Sequence, residues 1–228
     1  MGPEDSRGRG VCHPGLRQTL VNVNATLLYI ADPMCSWCWG FRTVRDRVLA
    51  AMPVGTPLRY VMGGLAPDSA DPMDEGTEGY VRQAWKTVEQ TTGASFNWKF
   101  WDDCQPRRST YPACRAVLLA ESLSEGAGSL MFDRIQEAYY QEARNPSDTE
   151  TLVALGRELG LTGDTFEREL DSPATQALLQ ADLEFRTSLN VYSFPTLILK
   201  SGEGSVVLTE GYSDAEQVLA RIPRGTNP

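Results

Sequence analysis

The 228-residue sequence predicts an α/β fold in which a long helical block separates two halves of one small sheet. Its first half has a strand, a helix and a strand, with apolar runs at 25–31 and 58–62. Helical periodicity then dominates residues 67–189, and strand signals return as a hairpin followed by a helix over residues 194–221. Without the block, the element order is βαβ–ββα.

This pattern predicts two structured domains and an extension. We expect the α/β domain to comprise residues 25–66 and 190–222, with an all-helical domain, residues 67–189, inserted between its halves. Residues 1–18 are rich in glycine and proline and carry scattered charges. We therefore expect residues 1–24 to form a flexible N-terminal extension.

Each element of the first half has a clear local signal. The helix after the first strand is expected to run to about Ala51, because apolar residues recur near helical period from Phe41 onward. A breaker cluster, Met52 to Pro57, ends it. The second strand ends at Gly63-Gly64, a pair that permits a sharp turn or a close backbone approach.

The helical block and the last helix are predicted from periodicity and from capping signals. Ser147-x-x-Glu150 and Ser213-x-x-Glu216 match the capping box, and Ser172-Pro173 supplies an N-cap with proline at the first helical position. The helices expected in the block cover 76–92, a segment around 113–120, 130–143, a segment from 147 to near 160, 164–170 and 173–189.

Two cysteines at C-x-x-C spacing, Cys35 and Cys38, stand where the first strand ends and the first helix begins. N–H groups at a helix start lack partners and carry partial positive charge, which makes a thiol there easier to ionise. Thiolate is the nucleophile of disulfide exchange. We therefore predict that Cys35 is the attacking thiol and that Cys38, one helical turn later, is the resolving thiol.

A metal site is the main alternative for this pair. Structural zinc takes four nitrogen or sulfur ligands, but the chain has one histidine, His13, and no second C-x-x-C. We therefore predict no metal, and no cofactor, because the sequence has no FAD- or NAD-binding fingerprint. Cys104 and Cys114 are either a second redox pair or two ordinary free cysteines, with Cys114 buried on its helix.

A proline opens the strand predicted over residues 194–200, although proline lacks the N–H that a central strand uses. In the βαβ–ββα topology, the loop before this strand lies across from the end of the first strand. We therefore predict that Phe194-Pro195 is a cis peptide beside Cys35, whose Phe194 backbone pairs with an extended peptide or thiol substrate. A plain strand-start proline is the alternative.

The aromatic residues near the cysteines predict a substrate surface. We expect Ser36, Trp37 and Trp39 to contact substrate together with the Phe194-Pro195 peptide. A second aromatic group is expected to belong to the core rather than to a ligand shelf, and Asp32 is expected to be a turn residue. The members of that second group are Phe96, Trp98, Phe100 and Trp101.

Composition excludes several classes of partner. A net charge of −9 argues against nucleic acid and against anionic membrane, and no run approaches the ~18 apolar residues of a membrane span. Five cysteines in a chain of this length are not a disulfide scaffold, and the N-terminus lacks the apolar region of a signal peptide. A reducing cytoplasm is the expected location.

The chain resembles the DsbA-like branch of the thioredoxin superfamily over about residues 25–222, where a helical domain interrupts the thioredoxin arrangement βαβ–ββα. The segment Asp32–Gly40, with its CSWCW motif, is similar to the FrnE-like group of cytoplasmic thiol–disulfide oxidoreductases. The runs 62–65 and 139–144 support the resemblance more weakly. The resemblance implies a nucleophilic Cys35, a resolving Cys38 and a cis Pro195.

The sequence departs from the best-known periplasmic members of this branch. Between the cysteines it has Ser36-Trp37 where they have Pro-His, and Phe194 is bulky where many relatives carry a small or β-branched residue. A histidine can stabilise a thiolate with its charge, whereas Ser36 offers only a hydroxyl. We expect a reduction potential nearer the reducing end, while the direction of reaction stays open between oxidant, reductant and isomerase.

Three functions are compatible with these observations. The first is a thiol–disulfide oxidoreductase acting on protein or low-molecular-weight disulfides, with glutathione as a candidate partner. The second is a glutathione-dependent isomerase or transferase of the kappa or hydroxychromene-carboxylate isomerase type. Such relatives typically carry serine in place of the attacking cysteine, so Cys35 and Cys38 count against it. The third is a non-catalytic redox-sensing adaptor.

Overall fold

A computed structural model describes residues 25–161, 164–202 and 204–223. The predicted N-terminal extension, residues 1–24, lies outside the described residues, as do Cys12 and His13. Within the described residues, one mixed sheet of four strands has the order β2-β1-β3-β4. These strands are β1 (Thr26–Ala31), β2 (Leu58–Met62), β3 (Thr196–Ser201) and β4 (Gly204–Glu210).

β1 lies at the centre of the sheet and determines where the site forms. It pairs in parallel with β2 and antiparallel with β3, and residues 27–31 are buried because both faces of the sheet are covered. Since parallel strands end at the same edge, Asp32 after β1 and Gly63 after β2 lie close together. Gly63 N donates a hydrogen bond to Ala31 O over 2.7 Å.

Helices cover the sheet and fill the block between β2 and β3. The element order confirms the predicted α/β fold, βαβ–ββα with helices inserted between the halves. Periodicity and capping signals predict these helices except the short α4, with α1 and α2 expected as one helix. They are α1 (Ser36–Gly40), α2 (Arg42–Ala51), α3 (Glu75–Thr92), α4 (Phe100–Asp103), α5 (Tyr111–Leu123), α6 (Ala127–Gln141), α7 (Thr149–Glu158), α8 (Asp164–Glu169), α9 (Pro173–Ser188) and α10 (Ala215–Ala220).

Most buried apolar side chains of the sheet and the block belong to one large core, and a smaller separate cluster comprises Leu28, Ile30, Val61, Val191 and Ile198. The second aromatic group confirms its predicted place there, because its members pack around the fully buried Trp85 of α3. Ring centroids lie 5.0 Å away for Phe96, 5.7 Å for Phe100 and 4.9 Å for Trp101. Because this core is shared, the domain bounds at residues 67 and 189 stay a prediction.

The periodicity predicts one continuous helix after the cysteines. The structure instead divides it at Phe41 into α1 and α2. The residues at this division pack against different elements. Phe41 is fully buried and its ring lies 6.2 Å from that of Tyr29 in β1. Gly40 lies against α3, so closely that a Cβ there would be 2.7 Å from Val88 Cγ1.

Two of the predicted caps are wrong by one residue. The N-caps of α7 and α10 are Asp148 and Asp214, rather than Ser147 and Ser213. The Ser147 hydroxyl instead donates to Ser109 O over 2.8 Å, a contact with a segment distant in sequence. Local spacing does not reveal such a competing partner.

The close approach of α1 and α3 gives a stability prediction. We expect Gly40→Ala to lower the free energy of unfolding by about 1–3 kcal/mol, because a β-branched side chain cannot easily move away from the new methyl group. The matched control is Gly79→Ala in α3, where a Cβ meets no atom within 4 Å. It should raise stability by about 0.5–1 kcal/mol through helix propensity. Urea denaturation of both variants checks this, and a Gly40→Ala protein as stable as wild type would contradict it.

Candidate active site

The C-x-x-C sequence forms a tight turn at the end of β1. Cys35 N donates to Asp32 O over 3.0 Å, and Cys35 is the N-cap of α1, with Trp39 N donating to Cys35 O over 3.0 Å. Cys35 is 7% exposed and Cys38 is 1% exposed. The cysteine at the helix start is therefore the more exposed of the two.

Cys35 faces the loop that precedes β3. Its Sγ lies 3.8 Å from Phe194 O, within reach of a weak S–H···O hydrogen bond, and the Phe194–Pro195 peptide bond is cis. Cys35 and Cys38 are both free thiols. The Phe194 N–H has no hydrogen-bond partner in the described part of the chain. This backbone segment can therefore still form hydrogen bonds beside the candidate nucleophile.

Burial gives Cys38 the character of a protonated thiol. Desolvation raises the pKa of Cys38 well above its ordinary value, and the hydrogen bond with Cys35 and the charge of Cys35 raise this pKa further. A thiol of this kind stays protonated until it must react. This difference in environment agrees with an attacking Cys35 and a resolving Cys38.

The carboxylate of Asp32 is fully buried and accepts bonds from three parts of the chain. Oδ1 accepts from Met34 N over 2.8 Å, and Oδ2 accepts from Leu65 N over 2.8 Å. Oδ2 also accepts from Thr110 Oγ1 over 2.7 Å and lies 3.6 Å from Cys114 Sγ. Asp32 does form the predicted turn, but it also joins that turn to the β2–α3 loop and to α5.

Cys104 and Cys114 are two free cysteines with separate partners. Cys114 is buried, as predicted, and contacts Asp32, whereas Cys104 Sγ donates to Ala143 O over 3.0 Å. Their separate partners favour two ordinary free cysteines, and the choice between the two alternatives stays a prediction. In the described residues, no group of three or more His, Cys, Asp or Glu side chains is placed to hold a metal ion.

The five predicted substrate contacts differ in accessibility. Trp37 and Phe194 are half-buried, whereas Ser36, Trp39 and Pro195 are buried. The Trp39 ring stacks on Tyr140 of α6 at 5.5 Å, and its Nε1 donates to Ser95 O over 3.1 Å. These contacts are internal, so a substrate role for Trp39 stays a prediction.

Two residues near the cysteines are missed by sequence reasoning. The Tyr212 ring, after β4, lies 5.6 Å from that of Trp37 and extends the aromatic surface. A Cβ at Gly63 would lie 2.6 Å from Phe194 Cζ, so this glycine makes room for the bulky Phe194. The Gly63-Gly64 pair predicts a close approach, but only the fold shows what approaches.

Comparisons with known proteins identify the family. A family model described as thioredoxin matches residues 28–218. The chain belongs to the thioredoxin family. A putative protein disulfide isomerase from Nitrosomonas europaea is similar in structure, with a TM-score of 0.73 and 26% identity over 86% of this chain and 94% of that one. The cytosolic disulfide reductase DsbM from Pseudomonas aeruginosa has a TM-score of 0.69 and 29% identity over 86% and 95% of the two chains.

These neighbours confirm the predicted DsbA-like branch and its thioredoxin-like fold, while the finer FrnE-like resemblance stays a prediction. Among curated proteins, the ClpXP adapter protein SpxH from Bacillus subtilis is 23% identical over 168 residues, or 73% of this chain. The chain spans 55% of the length of that relative. Among the helices that the structure describes, none is long and apolar enough to cross a membrane.

The buried Asp32 carboxylate gives a second stability prediction. We expect Asp32→Asn to lower the free energy of unfolding by about 1–3 kcal/mol, because the amide nitrogen cannot accept the bonds that now end on the carboxylate. Asp102→Asn, at an exposed position of α4, is the control and should change stability by less than about 0.5 kcal/mol. Chemical denaturation at one pH checks both, and equal effects of the two substitutions would refute a special role for Asp32.

The pKa of Asp32 gives this difference a pH dependence. Burial raises its pKa in the folded protein above the usual value of 3.8, despite bonds from Leu65 and Thr110 that lower it. The stability that wild type gains from this group is therefore complete below about pH 4 and is lost as the pH rises through the folded pKa. The stability advantage of wild type over Asp32→Asn should shrink from pH 4 to pH 7 in a denaturation series, and an advantage that grows would contradict the raised pKa.

Proposed function

We propose that this protein is a thiol–disulfide oxidoreductase that acts through Cys35 and Cys38. The observation that carries the proposal is the free dithiol at the start of α1, with Cys35 Sγ 3.8 Å from the carbonyl of the cis Phe194–Pro195 loop. The similarity to a cytosolic disulfide reductase and to a putative disulfide isomerase supports the same chemistry.

The proposed reaction has two exchange steps. The Cys35 thiolate attacks one sulfur of the substrate disulfide, which releases the other sulfur as a thiol and leaves a mixed disulfide on Cys35. Cys38 then attacks the Cys35 sulfur, releases the second substrate thiol and closes the Cys35–Cys38 disulfide. The substrate gains two electrons and two protons, and the dithiol loses them. The same steps in reverse oxidise a substrate.

The backbone around Phe194 is well placed to orient a substrate. Its N–H is unpartnered within the described residues, and its carbonyl makes one weak contact, with the Cys35 thiol. An extended peptide that pairs here brings its disulfide to Cys35 in the manner of strand addition. The half-buried Trp37 and Tyr212 rings add apolar contact area beside it.

Glutathione is the low-molecular-weight partner that we propose, in a reductive reaction in the cytoplasm. DsbM, the cytosolic disulfide reductase similar to this chain, has also been solved with GSH, at 27% identity and a TM-score of 0.68. A tripeptide presents both an extended backbone for Phe194 and a thiol for Cys35. The alternative of a glutathione-dependent isomerase or transferase is opposed by the intact cysteine pair.

Cysteine variants test the proposed chemistry. We expect Cys35→Ser to lose disulfide exchange, and Cys38→Ser to stop after the first step because the resolving thiol is missing. Peptide mapping by mass spectrometry after incubation with glutathione disulfide should find glutathione on Cys35 of Cys38→Ser and none on Cys38 of Cys35→Ser.

Cys104→Ser is the matched control, because Cys104 is a free cysteine bonded to Ala143 rather than to the site. It should turn over like wild type. If Cys38→Ser accumulates no mixed disulfide while it remains folded, the assigned roles of the two cysteines are wrong.

A second candidate function is that of an adaptor, favoured by the similarity to the ClpXP adapter protein SpxH. An adaptor binds its partners without needing turnover. The double variant Cys35→Ser/Cys38→Ser separates the two functions in a binding assay with purified ClpXP. If the double variant binds ClpXP although it lacks exchange activity, an adaptor function is supported. If neither wild type nor the double variant binds ClpXP, only the oxidoreductase function is supported.

A further inference from the structure

Arg186, in the last turn of α9, lies against the loop that contains the cis peptide. Its Cζ lies 5.6 Å from the centroid of the Phe194 ring, within the range of a cation–π contact. Its Nη1 donates to Val191 O over 3.3 Å, and its own carbonyl accepts from Val191 N over 3.0 Å. These contacts hold the guanidinium beside the Phe194 loop rather than leaving it extended in solvent.

The Arg186 guanidinium lacks a counter-charge among the described residues. Most arginines in that part of the chain form a salt bridge, and the ones that do not are Arg108, Arg186 and Arg221. Arg186 is half-buried, and its Nε is buried without a hydrogen-bond partner. Holding a partly desolvated cation without an anion costs free energy. Such a cation beside a candidate active site indicates a place where an anion binds.

Helix capping is the structural alternative for Arg186. A basic side chain near a helix C-terminus interacts favourably with the last carbonyls, and Arg186 has that position in α9. Arg221, the C-cap residue of α10, provides a matched comparison. Its Nη1 donates to Leu208 O over 3.1 Å, so its carbonyl partner lies in β4 rather than in the Phe194 loop.

Phe194 connects the guanidinium to the candidate nucleophile. Its carbonyl lies 3.8 Å from Cys35 Sγ, and its ring contacts Arg186, so the thiol and the cation border one residue. An extended chain covers ~3.3–3.6 Å per residue, so a carboxylate within about three residues of the reacting sulfur can span this distance. A substrate paired with the Phe194 backbone can therefore place its sulfur at Cys35 and a carboxylate at Arg186.

We infer that Arg186 binds a carboxylate of the substrate and thereby selects anionic disulfides. The inference rests on the proposed function, because it names the class of disulfide that reacts with Cys35. Glutathione disulfide belongs to this class, since its carboxylates outnumber its ammonium groups, and so does a disulfide-linked peptide with an acidic residue beside its cysteine. The net charge of the chain, −9, repels such substrates, so a local cation favours their approach.

Disulfides of different charge test the inference. The measured quantity is the second-order rate constant for oxidation of the reduced protein, obtained by acid quenching and thiol alkylation. For glutathione disulfide, we expect Arg186→Met to lower this constant about tenfold, as for the loss of a hydrogen bond to a charged group. For the neutral hydroxyethyl disulfide, the same substitution should change it by less than about twofold, because no carboxylate is present. Arg186→Lys keeps the charge and should stay within about threefold of wild type with both probes.

Two further probes identify the source of the carboxylate. One is a disulfide-linked peptide with either aspartate or asparagine beside the cysteine, and the other is glutathione disulfide esterified at its glycine carboxylates. If Arg186→Met slows the aspartate peptide more than the asparagine peptide, acidic peptides belong to the substrate class. If its effect on glutathione disulfide disappears with the ester, the glycine carboxylate is the group that Arg186 binds. Either result supports the inference.

The salt dependence of the wild-type protein gives a test that needs no variant and remains available if Arg186→Met does not fold. Attraction of an anionic substrate to Arg186 weakens as salt screens it, so the rate constant for glutathione disulfide should fall with ionic strength. That for hydroxyethyl disulfide should stay constant. A rate constant for glutathione disulfide that rises with salt would show that repulsion by the net charge dominates, and would overturn the inference.

The control variant and the remaining outcomes separate this inference from the function on which it rests. Arg221→Met should leave the rate constants for all probes within about twofold of wild type. An Arg186→Met effect of equal size on every probe would assign Arg186 to helix capping and overturn carboxylate binding, as would a folded Arg186→Met protein with unchanged rates. A wild-type protein that reacts with none of the disulfides would instead overturn the proposed oxidoreductase.

Discussion

The site depends on the burial of one carboxylate, that of Asp32. A buried carboxyl group is costly unless hydrogen bonds satisfy it, and here they offset the cost of its charge only in part, because burial still raises its pKa. Here the donors come from the C-x-x-C turn, from the β2–α3 loop at Leu65, from Thr110 at the N-cap of α5 and from Cys114 within α5. Satisfying this group therefore holds the cysteine turn, the sheet edge and the helical block in one arrangement, beside which the Phe194 carbonyl meets Cys35.

The inserted helices consequently contribute directly to the surroundings of the site. α3 packs on α1 through Gly40, and α6 places the Tyr140 ring on that of Trp39. The two thiols have different surroundings, because Cys35 borders the Phe194 loop while Cys38 is almost fully buried. That asymmetry is what a two-step exchange requires, with an accessible nucleophile and a protected resolving thiol.

Local sequence patterns were sufficient for the order of elements along the chain, for the position of Cys35 at a strand–helix junction and for the helical insertion, because periodicity and turn residues encode them. The remainder depends on contacts distant in sequence. Asp32 accepts a hydrogen bond from Thr110, which is 78 positions away in sequence. The Trp39 ring is oriented by stacking on Tyr140 of α6. The division at Phe41 likewise reflects packing against Tyr29, which the helical spacing cannot express.

The reduction potential of the Cys35–Cys38 pair tests the central claim most directly. It is measured by equilibrating the protein against a series of glutathione redox buffers and quantifying free thiols. We predict a reversible two-electron couple that Cys35→Ser abolishes, at about −250 mV or lower, as for cytosolic reductants. A reversible couple above about −180 mV would assign the protein to oxidants or isomerases. No reversible couple at all would contradict disulfide exchange at this site.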